Sequence, residues 1–433
     1  MSIMDKESME EIHVAAPTGR TKAIAIIMVA IGLFTIVVFG LGSAAAAHSQ
    51  LTFDPVNSSS HAPWHLGALT VLTRWTNIVL GLAMIAVGIE TYLRRPRRAV
   101  MARFGGVGVL FLFALLFWSC RAPGPSPVGY INFTALLVGS SAATMVLVFG
   151  SLSGVMCERS GVVNIAIEGQ FIGGAFFGSL IASTTSNFYF AAVGGAFIGG
   201  LIGLLLAFLA LRYQSDQIIV GIVIVTMLGG LSSYLTNQVL TPYPQFNTGN
   251  LAGNFAIPLL SKIPILGPVL FNQSGFFYLM ILLVAVVSFA LFKTRYGLRV
   301  RAVGEHPQAA ATVGINVIRV RYINVVLGGA IAGVGGVAFM ASQGQFQPGY
   351  TSGLGYIALA AMIFGRWRPS GAVVASIIFG VSVYLSYTLG SLNFPLSIYI
   401  LQMFPYLITI AVVAGLIGRV RPPAADGIPY KHD

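Results

Sequence analysis

Residues 157–170 read CERSGVVNIAIEGQ and place charged and amide side chains between apolar stretches long enough to cross a membrane. The polar residues that matter are Glu158, Arg159, Asn164 and Glu168. Ionisable groups within membrane segments are unfavourable unless they pair with one another or face a cavity. We therefore expect this 158–168 motif to be either a structural junction between membrane segments or part of a solute path.

The composition of the whole chain is that of a membrane protein. Of its 433 residues, 56% are hydrophobic and only 8% are charged, whereas soluble domains carry roughly 25% charged residues. A bilayer solvates apolar outer faces that water would not, and it favours helices, which satisfy their own backbone hydrogen bonds. The 51 glycines suit close packing between membrane helices. The sequence predicts an all-α polytopic membrane protein.

The net charge of +12 reflects topology and not nucleic-acid binding. The basic residues form no single face but lie in short polar breaks between apolar runs. Alternating the apolar runs across the membrane puts all but three of the 24 basic residues on one side, the exceptions being Arg74, Arg121 and Lys262. By the positive-inside rule that side is the cytoplasm, and it includes both termini.

We predict about 10–12 membrane segments, two of which are short or broken helices. At about 1.5 Å per residue, the short segments Phe171–Ser183 and Tyr356–Gly365 cannot cross a ~30 Å hydrocarbon core. The full-length candidates are Ala23–Ala47, Val71–Tyr92, Gly105–Ser119, Phe133–Ser153, Phe190–Leu211, Ile218–Leu235, Phe276–Phe292, Tyr322–Met340, Gly371–Leu389 and Ser397–Ile417.

The two short segments belong to a weak internal repeat. The stretch NIAIEGQFIGGAFFGS (164–179) is similar to TSGLGYIALAAMIFGR (351–366), and each precedes a span rich in glycine and alanine. The predicted topology runs them through the membrane in opposite directions. Inverted repeats with discontinuous helices are typical of transporters, although Gly-rich membrane helices also resemble one another through composition alone.

A long basic segment, KTRYGLRVRAVGEHPQAAATVGINVIRVRY (293–322), connects two spans on the cytoplasmic side. Pro307 suits the first turn of a short helix that continues through Ala311. Such a helix would transmit force from a soluble partner, although the spacing alone favours a solvated basic loop with no docking role. The chain has no G-x-x-x-x-G-K-[ST] phosphate-binding run, so energy for transport must come from a partner or from an ion gradient.

Three motifs in order carry a family resemblance. GLRVRAVGEHPQAAATVGINV (297–317), ERSGVVNIAIEG (158–169) and GLGYIALAAMIFGRWRPSGA (353–372) resemble bacterial ABC-importer permeases of the branched-chain amino acid and simple-sugar superfamily, most closely its nucleoside (riboside) permeases. The resemblance runs from about Phe133 to Ile417. It implies a type II ABC-importer permease fold and a non-enzymatic subunit that moves nucleosides by alternating access across the bacterial cytoplasmic membrane.

The resemblance also implies partners and a coupling site. The partners are a cytoplasmic ATP-binding cassette ATPase, an extracytoplasmic substrate-binding lipoprotein and a second, related permease in a heterodimer. The chain itself then needs no cofactor, since the ATPase uses the ATP and magnesium. The residues expected to dock on the ATPase are Gly304, Glu305, His306, Pro307, Ala309 and Ala310.

Six residues are expected along the substrate path. The resemblance places Asn164 and Glu168 near the centre, where an amide and a carboxylate would bind a nucleobase edge or ribose hydroxyls. Alternatively, Glu168 pairs with Arg159 or caps the short helix beginning near Phe171. The others lie in QGQFQPGY (343–350), which would meet a planar polar ligand or, alternatively, contact the binding protein; they are Gln343, Gln345, Phe346 and Tyr350.

The predicted organisation has four parts: a cytoplasmic segment (1–22), N-terminal transmembrane helices (23–119), a permease core (120–417) containing the coupling segment (293–321), and a cytoplasmic tail (418–433). Two alternatives for function remain open. One is transport of another small polar solute, such as a sugar or a branched-chain amino acid. The other is an ion-coupled secondary transporter; the scarcity of carboxylates within the spans argues against proton coupling and leaves sodium coupling open.

Overall fold

A computed structural model gives the fold of the chain. It describes residues 18–54, 66–94, 99–123, 130–248, 251–351, 353–392, 400, 402–403, 406 and 421–430. Within these residues the protein is mostly helical, and nine helices are long and apolar enough to span a membrane. By contacts the chain divides into two units, one of residues 1–134 with 391–395 and one of residues 135–390 with 396–433.

In its described residues, the first unit contains three helices and a small sheet. The helices are α1 (Thr18–Phe34, continued by wider π-type turns over Thr35–Leu41), α2 (Thr73–Arg94) and α3 (Val100–Ser119). Strand β1 (Ala47–Thr52) is antiparallel to β2 (Ala68–Leu72) and β3 (Ala122–Pro123) and parallel to β4 (Tyr130–Asn132). The chain therefore leaves the first span at Leu41, six residues before the predicted end, because Ala47 already belongs to the sheet.

The second unit contains the remaining helices. They are α4 (Phe133–Glu158, whose first two residues belong to the first unit), α5 (Ile167–Thr185), α6 (Phe188–Ala207), α7 (Gln217–Leu235), α8 (Gly275–Lys293), α9 (Arg295–Glu305), α10 (Pro307–Thr312), α11 (Val317–Gln343), α12 (Leu354–Phe364) and α13 (Pro369–Ser391). Short antiparallel strands β5 (Asn254–Ala256) and β6 (Asn272–Ser274) lie between α7 and α8.

Glycines bring α5, α6 and α11 into backbone contact. A Cβ added at Gly174 on α5 or at Gly199 on α6 would overlap main-chain atoms of Gly333 and Gly329 on α11. A Cβ at Gly336 would overlap the Phe171 carbonyl in the same way. Helices approach this closely only where neither carries a side chain, so the glycine content places these three helices at the centre of the second unit.

The structure corrects two details of the predicted fold. The first short segment is not short: α5 has 19 residues and a length of about 28 Å, whereas α12 has 11 residues and a length of about 16 Å. The prediction began α5 too late because Glu168 and Gln170 lower the local hydropathy, yet both side chains are buried. The expectation of an all-α chain is also too narrow, since the polar connections contain six short strands.

Other sequence expectations are not addressed by the described residues. The predicted span Ser397–Ile417 and the cytoplasmic segment 1–22 lie almost entirely outside them. The inverted repeat and the four-part division of the chain stay predictions.

Candidate functional site

The 158–168 motif lies along the short helix α12 and binds its first turn through Glu168. One carboxylate oxygen of Glu168 accepts a hydrogen bond from the Gly353 N–H at 3.0 Å and the other accepts from the Gly355 N–H at 2.7 Å. These N–H groups begin α12 and have no partner within that helix. Glu168 is 5% exposed and lies in the first turn of α5, so its charge faces the positive ends of two helices.

Glu158 and Arg159 hold the opposite end of α12. The Trp367 indole N–H donates to a Glu158 carboxylate oxygen at 2.6 Å. The Arg159 guanidinium donates to the carbonyls of Trp367 at 2.9 Å and Arg366 at 3.3 Å. Arg366 and Trp367 both have positive φ angles, of 55° and 52°, a strained conformation for residues with side chains. The motif therefore fixes α12 at both ends and stabilises the turn that follows it.

Arg159 and Glu168 are not partners, contrary to one of the two structural alternatives for this motif. Arg159 donates to the turn after α12, and Glu168 accepts from the turn before it. For the other alternative, the hydrogen bonds of Glu168 cap α12, and its place in the first turn of α5 puts its charge at the positive end of that helix, as the alternative expects. Burial lowers the pKa of Arg159, and the nearby Glu305 carboxylate partly offsets this effect.

Asn164 lies in a closed polar cluster between α4 and α5. Its amide nitrogen donates to the Ser153 hydroxyl at 3.1 Å and to the Gln170 side-chain oxygen at 3.1 Å. Its amide oxygen accepts from Gln170 at 3.4 Å. Asn164 and Gln170 are both fully buried. In this conformation the Asn164 amide joins the end of α4 to the start of α5 and presents no free polar group to a solute.

The 343–350 segment is anchored by Phe346 and by an asparagine that the sequence did not single out. The Asn247 side chain donates to the Phe346 carbonyl at 2.9 Å and accepts from the Phe346 N–H at 2.8 Å. The Ser179 hydroxyl on α5 donates to the same asparagine at 2.6 Å. Asn247 follows a stretch of threonine, proline and tyrosine typical of an outer loop, and nothing in that pattern distinguishes it.

The predicted path residues of this segment differ in exposure. Phe346 is 2% exposed, and its ring packs edge-on against Phe176 and Tyr350, with centroid distances of 5.4 Å to each. The Tyr350 hydroxyl is buried without a hydrogen-bond partner. Gln343 and Gln345 are exposed. Of these four residues, the two glutamines thus present exposed amides, and Tyr350 keeps its hydroxyl inside the protein.

The predicted coupling residues form two short helices with an exposed junction. α9 ends at Glu305 and α10 begins at Pro307, so the proline occupies the first turn, as the sequence predicts. Glu305, His306 and Ala309 are exposed, whereas Gly304 and Ala310 are buried. A Cβ at Gly304 would overlap the Arg159 carbonyl. α9 therefore rests directly on the turn that holds the end of α12.

The C-terminal segment, residues 421–430, packs on the same region. The buried Arg321 guanidinium at the start of α11 donates to the carbonyls of Ile428 at 2.9 Å and Ala425 at 3.4 Å. The Ala425 N–H donates to the Gly304 carbonyl at 2.9 Å. Asp426 lies beside Glu158, and burial raises its pKa to about 6. Sequence reasoning missed these contacts because it treated the segment only as a source of basic charge.

Comparison with known proteins identifies the family of the chain. The family described as the branched-chain amino acid transport system / permease component matches residues 136–413. The chain belongs to this permease family. The permease is 39% identical to a nucleoside ABC transporter permease of Lactococcus lactis subsp. cremoris and 38% identical to a guanosine ABC transporter permease of Bacillus subtilis, each match covering 66% of this chain and 92% of the relative. It is 32% identical to a putative glucose ABC transporter permease of Haloferax volcanii, over 67% of this chain and 94% of the relative. No solved structure matches it.

The family assignment confirms the main sequence conclusions. The permease is a multi-pass, non-catalytic subunit of an ABC transporter, and an ABC permease implies an ATPase and a binding protein as partners. The matched region includes α12 and the coupling segment. It begins at residue 136 and therefore leaves out residues 1–134, which make up most of the first unit.

We expect the Trp367–Glu158 bond to contribute measurably to stability. Replacing Trp367 by phenylalanine keeps an aromatic ring but leaves a Glu158 oxygen without its donor, which should lower the free energy of unfolding by about 1–3 kcal/mol. Thermal unfolding of the purified permease measures the effect. In a Glu158→Gln background the same replacement should have a smaller effect, whereas equal effects in both backgrounds would show that only ring packing is lost.

Proposed function

We propose that this permease carries nucleosides into the cell in an ATP-driven importer. The observation that supports this proposal is its 39% and 38% identity to permeases described as nucleoside and guanosine transporters, over nearly their whole length. A sugar is the second candidate solute, because a putative glucose permease is 32% identical over a similar length.

The test is uptake by the reconstituted transporter. The permease is placed in vesicles with its ATPase, its binding protein and its permease partner, and uptake of labelled guanosine, glucose and leucine is measured with and without ATP. We expect ATP-dependent guanosine uptake that exceeds the other two. Uptake driven by an ion gradient without ATP would refute the ABC mechanism, and preferential glucose uptake would favour the second candidate.

We propose that the permease pairs with a second, related permease in the cytoplasmic membrane and has both termini in the cytoplasm. The heterodimer is supported by the resemblance of its three motifs to nucleoside permeases that work in pairs. The basic residues on one side of the predicted topology support the orientation of the termini. Purification of a tagged copy should recover the second permease in equal amount, whereas recovery of an untagged copy of the same chain would indicate a homodimer.

The proposed substrate path combines contact residues with positioning residues. Gln343 and Gln345 are exposed and supply amide groups for a polar, planar solute, while Phe346 and Tyr350, whose rings pack together, supply aromatic groups in the same segment. Asn164 and Glu168 act through α5 and α12, since their polar atoms are engaged with the protein.

The proposed coupling route starts at Glu305, His306 and Pro307, with Gly304, Ala309 and Ala310 completing the docking surface. Motion of α9 is passed to the Arg159 backbone, which Gly304 contacts closely. From there it reaches the turn after α12 through the Arg159 guanidinium. Rigid, closely packed elements transmit displacement because they cannot be compressed.

Replacing Glu305, His306 and Pro307 together with glycine should therefore uncouple the transporter. We expect uptake to fall by at least roughly tenfold, equivalent to about 1.4 kcal/mol, while membrane insertion stays normal. The matched control replaces Thr241, Pro242 and Tyr243 with glycine. These three exposed residues lie in the 236–275 connection, and this variant should leave uptake intact. Unchanged uptake in the first variant would show that this junction does not couple the two subunits.

A further inference from the structure

The C-terminal segment forms one wall of a surface groove whose other wall is the coupling junction. The groove has a volume of about 660 Å³. Its first wall consists of Glu305, His306, Pro307, Gln308 and Ala309, and its second of Ala424, Ala425, Ile428, Pro429 and Tyr430. Both walls are within the second unit.

Backbone hydrogen bonds join the two walls into one surface. The Ala424 N–H donates to a Glu305 carboxylate oxygen at 3.2 Å, and the Ala425 N–H donates to the Gly304 carbonyl at 2.9 Å. Below them, Tyr430 packs against a buried apolar cluster of Val303, Ala310 and Val317. A partner that docks on residues 305–309 therefore meets residues 424–430 as part of the same surface.

The position of the segment is fixed from inside the protein. Arg321 is fully buried and directs its guanidinium at the Ile428 and Ala425 carbonyls. A buried cation needs such partners, because burial without them is strongly unfavourable. The Ile428 side chain nevertheless points outward and is 54% exposed. The buried backbone contacts thus hold an apolar side chain at the rim of the groove.

We propose that residues 424–430 form the second half of the ATPase docking site, with Ile428 and Pro429 contacting the ATPase directly. This inference rests on the coupling role proposed above for residues 304–310. The ATPase is the expected occupant because the groove is continuous with that coupling surface. The segment also contacts α11 through Arg321, so the ATPase would hold α9 and α11 together through it.

Cysteine footprinting tests the proposal, because Cys120 and Cys157 are both buried and should react slowly. Three single variants are purified with the permease partner: Ile428→Cys, Gln308→Cys in the coupling junction, and Leu266→Cys in the 236–275 connection as a control of matched exposure, 52% against 54%. Maleimide labelling is followed by mass spectrometry with and without the ATPase. We expect the ATPase to slow labelling of Ile428→Cys and Gln308→Cys by at least about tenfold and to leave Leu266→Cys unchanged.

Each other outcome has a definite meaning. Protection of Gln308→Cys without protection of Ile428→Cys would overturn this inference and leave the coupling role intact. Protection of neither would overturn both. An Ile428→Cys that is unreactive without the ATPase would show that another part of the permease pair covers the groove, which also overturns the inference.

A second experiment measures the affinity of the permease for the ATPase. Ile428→Glu should weaken this binding by at least about tenfold, and Leu266→Glu should not. Wild-type affinity of Ile428→Glu would contradict the proposal.

Discussion

Replacement of Glu168 by alanine is expected to destabilise α12 and to reduce transport by at least roughly tenfold, equivalent to about 1.4 kcal/mol. The change removes the acceptor of two N–H groups, that of Gly353, which is partly buried, and that of Gly355, which is buried. Charge-assisted hydrogen bonds and helix caps of this kind stabilise by about 1–3 kcal/mol each. Hydrogen exchange of the peptide covering α12 reports the loss of order, and nucleoside uptake reports the loss of function.

The control for this prediction is Glu90→Ala, which removes the Glu90–Arg103 ion pair of 3.0 Å at a partly exposed site. Exposed ion pairs contribute about 0–1 kcal/mol, so this variant should behave like the wild type. Glu168→Gln keeps one acceptor oxygen and should fall between wild type and Glu168→Ala. A Glu168→Ala protein with a raised KM but normal exchange over α12 would show instead that the carboxylate binds the solute.

The contacts of the 158–168 motif could be anticipated only in part from sequence. Its charges stood out because they interrupt apolar stretches, and capping of a short helix followed from general electrostatics. The sequence contained no indication that the capped helix lies 185 residues further along the chain. Nor does the local sequence indicate that Glu158, Arg159 and Glu168 all bind the two ends of one helix.

The membrane spans and the family could be predicted from the sequence more readily than the contacts between helices and strands. Hydropathy depends on local composition, so it identified the nine long apolar helices of the described residues but not the full length of α5. The coupling junction was recognisable because Pro307 marks a helix start. Strand β1 could not be predicted from the sequence. Its pairing with β2, β3 and β4 depends on backbone hydrogen bonds, and its residues do not alternate between apolar and polar side chains. The sequence likewise grouped Arg321 with the basic residues that set the topology, because the burial of a side chain cannot be inferred from the sequence around it.

In the proposed mechanism, the coupling segment acts on the solute path through the short helix α12. Glu168 and the turn at Trp367 fix the two ends of α12, and α9 rests on the backbone that binds this turn. A displacement of α9 would therefore reach α12 through the Arg159 backbone and guanidinium, while α9 also packs directly on the long helix α8 at Gly297. The same geometry explains why polar residues occur here among apolar helices: a helix of 11 residues cannot be held in the membrane by lipid contact alone.

The second large effect is expected for Gly333→Leu at the centre of α11. A side chain at this position would overlap the Gly195 carbonyl and approach Gly199 on α6, so α6 and α11 would have to separate along their contact. Overpacking of main chain against main chain cannot be relieved by a rotamer change, and we expect a destabilisation of at least about 3 kcal/mol. Size-exclusion chromatography of the purified protein and its thermal midpoint measure the loss.

Gly230→Leu on α7 is the matched control, because a Cβ at Gly230 meets nothing within 4 Å. Both substitutions replace a helical glycine and so gain about 1 kcal/mol of intrinsic helix preference. A difference between them therefore measures packing and not propensity. If Gly333→Leu unfolds at the same temperature as Gly230→Leu, α6 and α11 are not in backbone contact, and the glycines of α11 have no structural role in bringing the two helices together.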